Sequence, residues 1–342
     1  MDYKSLSVAI VILNWNGRNF LEQFLPGVIN NSPGCEVIVA DNASSDDSVA
    51  FLRSNFPAVR IIQNSDNLGF CEGYNQALKQ VEAEYFVLLN SDVQVTPNWV
   101  TPIYELLEDD KTIAAVQPKI KSFHEPEKLE YAGAGGGLID KFGYPFCRGR
   151  FFDTLETDQG QYNDTTEIFW ATGACMFVRA SAYKALGGLE PAFFAHMEEI
   201  DLCWRLKNEG FRIYYCGQSE VYHVGGGTLH KSNPRKTFLN FRNGLALLYK
   251  NLPFSSLIPI FGVRLVMDWI SALKFMLDGQ RGDAKAVLKA HQAFFRNRKY
   301  WKQRRKLQPI KQDISKLEGV YTGSIVWAYF VQGIKTFGQL KG

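Results

Sequence analysis

Short apolar runs that alternate with helical patterns constrain this chain more than any other feature. Residues 6–12, 37–40, 59–62, 85–89 and 113–116 read as buried strands. Between them, 18–29, 44–55, 69–81 and 97–107 place apolar residues at helical spacing or open with capping residues or proline. Four β–α alternations within about 110 residues predict an α/β fold with a doubly wound, mostly parallel sheet. Such sheets bind ligands at the carboxyl ends of their strands. Polar residues stand at those ends: Asn14, Asp41, Asn64 to Asn67, and Asn90 to Asp92.

The alternation is lost over 118–166, which reads as an irregular insertion on the acceptor side. Residues 168–178 predict a strand, 181–186 and 198–209 helices, and 211–216 and 221–224 two further strands. Beyond 231 the pattern is helical, over 234–250, 255–277, 283–306 and 324–337. This divides the chain into a sheet-based domain, 1–250, and a basic helical extension, 251–342. A length of 342 residues suits roughly two domains. With 46% hydrophobic residues, disordered and fibrous classes are excluded. Six scattered cysteines without a C-x-x-C pair disfavour a zinc ribbon or disulfide framework and fit a reducing cytosol. No basic leader or small-residue cleavage site precedes the first strand, so no signal peptide is expected.

The first β–α turn carries only Gly17, so neither a dinucleotide-binding glycine turn nor a P-loop is present. That argues against a nucleotide-dependent oxidoreductase. A nucleotide diphosphate bound to this sheet would need another source of positive charge, and a divalent metal held by carboxylate and imidazole is the natural substitute. Asp92, after an apolar strand, suits a hard cation, or an Asx turn. His223, followed by three glycines, is a metal ligand or a satisfied structural histidine. Glu198, Glu199 and Asp201 open a helix. Glu198 and Asp201 share one face there and Glu199 points elsewhere. They are catalytic carboxylates, or they complement the helix dipole.

These residues resemble a known family. Residues 6–247 are similar to family 2 glycosyltransferases of the GT-A fold, close to the rhamnosyltransferase-like bacterial branch. Seven signatures in order carry the resemblance: Val8 to Asn16, Val37 to Ser44, Asn67 to Phe70 with Asn75, Leu88 to Asp92, Gly173-Ala174, Glu198 to Arg205, and His223 with its glycines. The resemblance implies an inverting transfer of sugar from a UDP- or dTDP-linked donor to an acceptor hydroxyl on a glycan or lipid-linked glycan. Asp41 would accept from the N3–H of uracil or thymine. Asn14, Asn64 and Asn67 would line the nucleoside pocket. Asp92 would match the last acid of the D-x-D motif and hold Mg²⁺ or Mn²⁺, and His223 would complete the metal site. Asn90 replaces the first acid of that motif and can bond a ribose hydroxyl. Glu199 stands where the family has an Asp base, with Glu198 as the alternative base and Asp201 in support. A non-catalytic sugar-nucleotide binding protein with a degraded site is the rival reading.

Charge divides the chain. Residues 1–230 hold 17 Lys and Arg against 30 Asp and Glu, whereas 231–342 hold 21 against 5. Seven cations fall between Arg296 and Lys306, with Tyr300 and Trp301 interleaved. Together with the interrupted apolar stretch 257–277, this predicts peripheral attachment to the inner face of the cell membrane. The alternatives are packing on the domain or in a homodimer. Nucleic acid is not the expected partner.

Overall fold

The computed structural model describes residues 7–225, 233–308 and 310–341. The start of the first predicted strand at Leu6, and Gly226 and Gly227 after His223, lie outside the described residues. The first half alternates as the sequence predicts. It runs β1 (Val8–Asn14), α1 (Arg18–Asn30), β2 (Glu36–Asp41), α2 (Ser48–Asn55), β3 (Arg60–Gln63), α3 (Gly69–Leu78), β4 (Tyr85–Asn90), β5 (Val93–Val95), α4 (Thr101–Asp109) and β6 (Ile113–Ser122). Helix α4 starts four residues later than expected, because Asn98 takes a left-handed φ of 61° and turns the chain first.

The segment expected to be irregular contains strands β7 (Gly137–Asp140), β8 (Pro145–Cys147), β9 (Arg150–Phe151), β10 (Thr154–Leu155) and β11 (Thr165–Glu167). Then follow β12 (Cys175–Arg179), α5 (Ala180–Ala185), α6 (Glu198–Asn208) and β13 (Arg212–His223). The two strands expected over 211–224 are this single strand, with a register shift between Cys216 and Glu220. The C-terminal part comprises α7 (Pro234–Asn251), α8 (Phe254–Leu277), α9 (Arg281–Arg296), α10 (Arg298–Lys306), β14 (Val320–Tyr321), α11 (Ile325–Phe330) and α12 (Phe337–Lys341). The helix expected over 283–306 breaks at Asn297 into α9 and α10.

The main sheet has the order β11-β13-β6-β12-β4-β1-β2-β3, with β5 paired to β13. Strands β4, β1, β2 and β3 are mutually parallel. Strand β12 lies antiparallel between β4 and β6 and makes the sheet mixed. Successive β1 residues point to opposite faces. Val8, Ile10 and Ile12 pack with Leu21, Leu25 and Trp99. Ala9 and Val11 join the other cluster, which runs on through Trp204 to Leu245, Leu257, Phe294 and Trp301 of the C-terminal helices. Burial on both faces is why these strands read as continuous apolar runs. A second sheet, β10-β9-β8-β7-β14, is closed by pairing β7 with β14.

Candidate active site

The parallel register sets Asn14 beside Asp41, and Leu13 beside Asn90. Asn14 Nδ2 donates to Asp41 Oδ1 at 3.0 Å and to Ser44 Oγ at 3.1 Å. The Ser44 amide donates to Asp41 Oδ2 at 3.0 Å. The buried Asp41 carboxylate is therefore fixed by two neighbours, as a buried charge requires. Asn14 Oδ1 is buried without a partner among the described residues.

Asn42 was not singled out by the sequence, yet it organises the next loop. Its amide nitrogen donates to Asn67 Oδ1 (3.0 Å) and to the Gly69 carbonyl (3.1 Å). Its carbonyl oxygen accepts from Asn64 Nδ2 (3.1 Å) and the Leu68 amide (3.2 Å). Asn64 and Asn67 thus shape the loop through Asn42. Gly69 opens α3 with φ of +74°, and a Cβ there would lie 2.5 Å from the Phe194 ring. The amide of Phe70 donates to the Phe194 carbonyl at 2.9 Å, tying this loop to the approach of α6.

Asn90 and Glu198 meet through the loop before β12. The Asn90 amide donates to the Ala174 carbonyl at 3.0 Å. A Cβ on the preceding Gly173 would stand 3.9 Å from Glu198 Oε1. A Cβ on Gly17 would lie 2.5 Å from Asn14 Oδ1 and 3.5 Å from Ser91 Oγ, which places the β1 and β4 ends side by side. Asn14, Asp41 and Asn90 therefore stand at neighbouring strand ends, and Glu198 reaches the loop that Asn90 bonds.

At the start of α6, Glu198 and Glu199 each keep Oε2 buried without a hydrogen-bond partner among the described residues. Burial pushes the Glu199 carboxyl up to about 7. Burial and the neighbouring Glu199 push Glu198 well above the usual carboxylate range. The two behave as one coupled pair. Asp201 separates from them. It is fully buried, accepts from Arg205 Nε at 2.8 Å, Lys250 Nζ at 2.9 Å and Asn251 Nδ2 at 2.9 Å. Burial opposes its ionisation, but Lys250 and Arg205 bring it down to about 2. The face shared by Glu198 and Asp201 in the sequence reading is thus divided: Glu198 lies beside Gly173, and Asp201 is held by α7.

The turn into α6 is strained. Phe194, His196 and Met197 all have positive φ, between 66° and 72°. Asn243 of α7 holds this turn, donating to the carbonyls of Phe193, Ala195 and His196 at 2.8–3.1 Å. Burial and the neighbouring Lys236 push the His196 imidazole down to about 4.

The pairing of β5 with β13 aligns His223 with Val93, next to Asp92. His223 Nε2 is 3.2 Å from Asp92 Oδ1, and Nδ1 is 3.1 Å from Glu130 Oε2. Burial would lower the His223 pKa, but the two carboxylates outweigh it and push it up to about 10. Burial would raise Asp92, and His223 instead holds it below its usual value. Glu130 escaped the sequence reading because it lies in a segment without periodicity. Gly225 beside it has φ of +72°, a left-handed backbone that favours glycine, and a Cβ there would fall 2.8 Å from Glu130 Oε1. Among the described residues no group of three or more His, Cys, Asp or Glu is arranged to hold a metal ion. The Asp92–His223 pair does supply one carboxylate and one imidazole at a strand end, a donor set that fits Mg²⁺ or Mn²⁺ as two ligands of several. Glu130 would orient the ring from its other nitrogen.

Part of the basic segment packs into the fold. Arg304 Nε bonds Glu190 at 2.8 Å, and Arg305 donates to the Tyr249 carbonyl. Trp301 is buried against Phe193 and Phe294. Tyr300 donates to Glu190 at 2.5 Å. These residues build core because their helix packs on α7, whereas Arg296, Arg298, Lys299, Lys302 and Lys306 are exposed.

Residues 7–187 match glycosyl transferase family 2. The N-acetylglucosaminyl-diphospho-decaprenol L-rhamnosyltransferase of Mycobacterium tuberculosis is 24% identical over 233 residues, covering 63% of this chain and 75% of the relative. The rhamnosyltransferase WbbL of Escherichia coli K12 is 23% identical over 227 residues, covering 63% and 83%. Among solved structures, GalNAc-T7 with UDP, GalNAc and Mn²⁺ superposes with a TM-score of 0.57 at 15% identity. It covers 74% of this chain, which spans about half (49%) of that protein, and the likeness is one of GT-A fold. Strand-end geometry, fold and family match agree: the chain belongs to glycosyl transferase family 2 and is a glycosyltransferase.

Proposed function

We propose that the chain transfers a sugar, of the rhamnosyl or hexosyl type, from a UDP- or dTDP-linked donor to a hydroxyl of a lipid-linked glycan in cell-envelope polysaccharide synthesis. The observation that carries this reading is the Glu198–Glu199 pair: each keeps Oε2 buried without a partner among the described residues, and Glu198 stands by Gly173, in the loop that the Asn90 end of β4 bonds. The lipid-diphosphate acceptor named for the mycobacterial relative supports the acceptor class.

Glu199, raised toward neutrality, takes the proton of the acceptor hydroxyl. The hydroxyl oxygen then forms a bond to the anomeric carbon as the bond to the nucleoside diphosphate breaks. Attack opposite the leaving group inverts the configuration. Asp41 accepts from the pyrimidine N3–H, Asn14 and the loop shaped by Asn64 and Asn67 enclose the nucleoside, and Asn90 bonds the ribose. Asp92 and His223 would hold Mg²⁺ or Mn²⁺. When bound, the ion supplies positive charge to the departing diphosphate.

In this reading residues 1–250 hold the donor and the chemistry. Residues 251–342 serve the membrane surface, on the cytoplasmic side. The test is a panel of nucleotide sugars assayed for hydrolysis and transfer. UDP or dTDP sugars should be turned over and GDP and ADP sugars refused. Asp41→Ala should weaken UDP binding by about 1–3 kcal/mol, the cost of leaving a buried N–H unpaired. Equal competition by all four nucleotides against wild type would sink the assignment of the base pocket.

A further inference from the structure

Helix α8 is built the wrong way round for a water-soluble surface helix. Its charged pair, Arg264 and Asp268, is buried, joined at 2.8 Å, and Asp268 is 3.0 Å from His291 Nε2 of α9. Arg264 also lies over the Tyr144 ring at 4.3 Å. The outward side carries Ile258, Val266, Trp269, Ile270, Leu273 and Met276, each more than half exposed. At 100° per residue these fall within about half of the helix circumference. Lys274 is the one charged residue among the exposed positions of α8, and Asp278 pairs with it at 2.5 Å. Solvent-facing helices show the opposite arrangement, and a continuous apolar face of this size marks an interaction surface.

The face continues onto α9. Trp269 touches His291 edge-on, with ring centroids 5.9 Å apart. Leu288 and Phe295, both exposed, lie one step round α9 from His291. One step further, at positions i, i+4 and i+11, stand the exposed cations Lys285, Lys289 and Arg296. The nearby acids are engaged: Asp278 with Lys274, and Asp283 with Thr237. Among the described residues the apolar face thus has a rim of exposed cations that outnumbers its acids, Asp283 beside Lys285 being bonded to a neutral hydroxyl and keeping its charge.

We propose that α8 lies in the plane of an anionic bilayer surface, with its outward half among the acyl chains and headgroups and the α9 cations on lipid phosphates. The inference deepens the proposed reading of a lipid-linked acceptor. Charge favours the occupant: the exposed cations of the rim outnumber its acids, so the same face of a second copy would meet it with a surplus of like charge, whereas anionic headgroups complement the rim. The buried Arg264–Asp268–His291 group fixes which side of α8 faces out, so the helix lies along the surface instead of crossing it.

The test is flotation of the full-length protein with vesicles of phosphatidylcholine alone or mixed with phosphatidylglycerol. Donor hydrolysis and sedimentation velocity are measured on the same samples. Wild type should float with the anionic vesicles and partly persist at high salt. Ile270→Glu with Leu273→Glu, both at exposed positions, should reduce binding roughly tenfold or more. Replacing Lys285, Lys289 and Arg296 by Gln should reduce it by about fivefold per cation at low salt. The proposal is overturned if wild type ignores anionic vesicles at low salt, or if the double variant floats as well as wild type. It is equally overturned if wild type is a dimer that the double variant dissociates, because the face is then covered by a second copy. Intact donor hydrolysis in any of these cases leaves the glycosyl-transfer reading standing and separates the two failures.

Discussion

The glutamate pair at the head of α6 makes the sharpest residue-scale prediction. Glu199→Gln keeps size and loses basicity, so transfer should fall by roughly 10² to 10⁴ while UDP binding stays near wild type. The base acts deprotonated, so kcat should fall as pH drops through about 7, the value to which burial raises Glu199. Retained activity in Glu199→Gln with a dead Glu198→Gln would exchange their roles. A separate prediction concerns Asp92 and His223. Chelation by EDTA should abolish transfer and Mn²⁺ or Mg²⁺ restore it, and Asp92→Ala should weaken binding of the nucleoside diphosphate more than of the nucleoside. Equal losses for both ligands by calorimetry would remove Asp92 from the diphosphate site. Asn14 and Asp41 stood out in the sequence because each ends an apolar strand, and Asp92 because it follows one closely. Glu130 and Asn42 did not: the first reaches His223 from an aperiodic loop, and the second acts on a neighbouring loop through its side-chain amide.

At the scale of elements, α7 determines where the head of α6 stands. Its Asn243 satisfies three carbonyls of the left-handed turn, and its Lys250 bridges Asp201 and Glu190 at 2.9 and 2.7 Å. Non-glycine residues with positive φ persist only where their surroundings hold them. Asn243→Ala should therefore let the turn relax, lowering kcat about tenfold or more with little change in the donor KM. It should also cost about 1–3 kcal/mol of stability for the Ala195 and His196 carbonyls that lose Asn243, the Phe193 carbonyl keeping its bond from Arg242. An unchanged kcat with a lowered Tm would make Asn243 structural only, a distinction read from the rates and a thermal melt. The sequence placed α7 within a residue of its observed end, since proline opens it and helical periodicity runs through it. Its partner could not be read, because side-chain contacts between residues 50 apart leave no local pattern. The same holds for β12, whose apolar run was visible but whose antiparallel insertion between β4 and β6 depends on two distant strands. The small second sheet was missed because β7 to β10 are two to four residues long, too short to show a period, and β14 joins β7 from about 180 residues away.

Across the whole molecule, charge composition suggested a detachable basic tail, and packing argues for joint folding. Glu190, fully buried, takes Lys250 from α7 and both Tyr300 and Arg304 from α10. Leu252, Leu257, Phe294, Trp301 and Ile314 sit in the same apolar cluster as β1 and α6. Truncation after residue 250 would expose the surfaces that these five side chains cover, at about 2 kcal/mol each. It would also strip two partners from the Glu190 carboxylate and Asn251 from Asp201, leaving Lys250 at a frayed helix end. The apolar loss alone, about 10 kcal/mol, equals the whole stability of an ordinary domain. The expected outcome is a fragment 1–250 without a cooperative melt by circular dichroism and without UDP binding by calorimetry, although Asn14, Asp41, Asp92 and Glu199 are all retained. A fragment that melts cooperatively near the full-length Tm and binds UDP normally would refute this and make residues 251–342 an independent appendage. Because the same helices carry the apolar face of α8, the full chain should present that face and the Glu198–Glu199 pair as parts of one folding unit, lost together on heating.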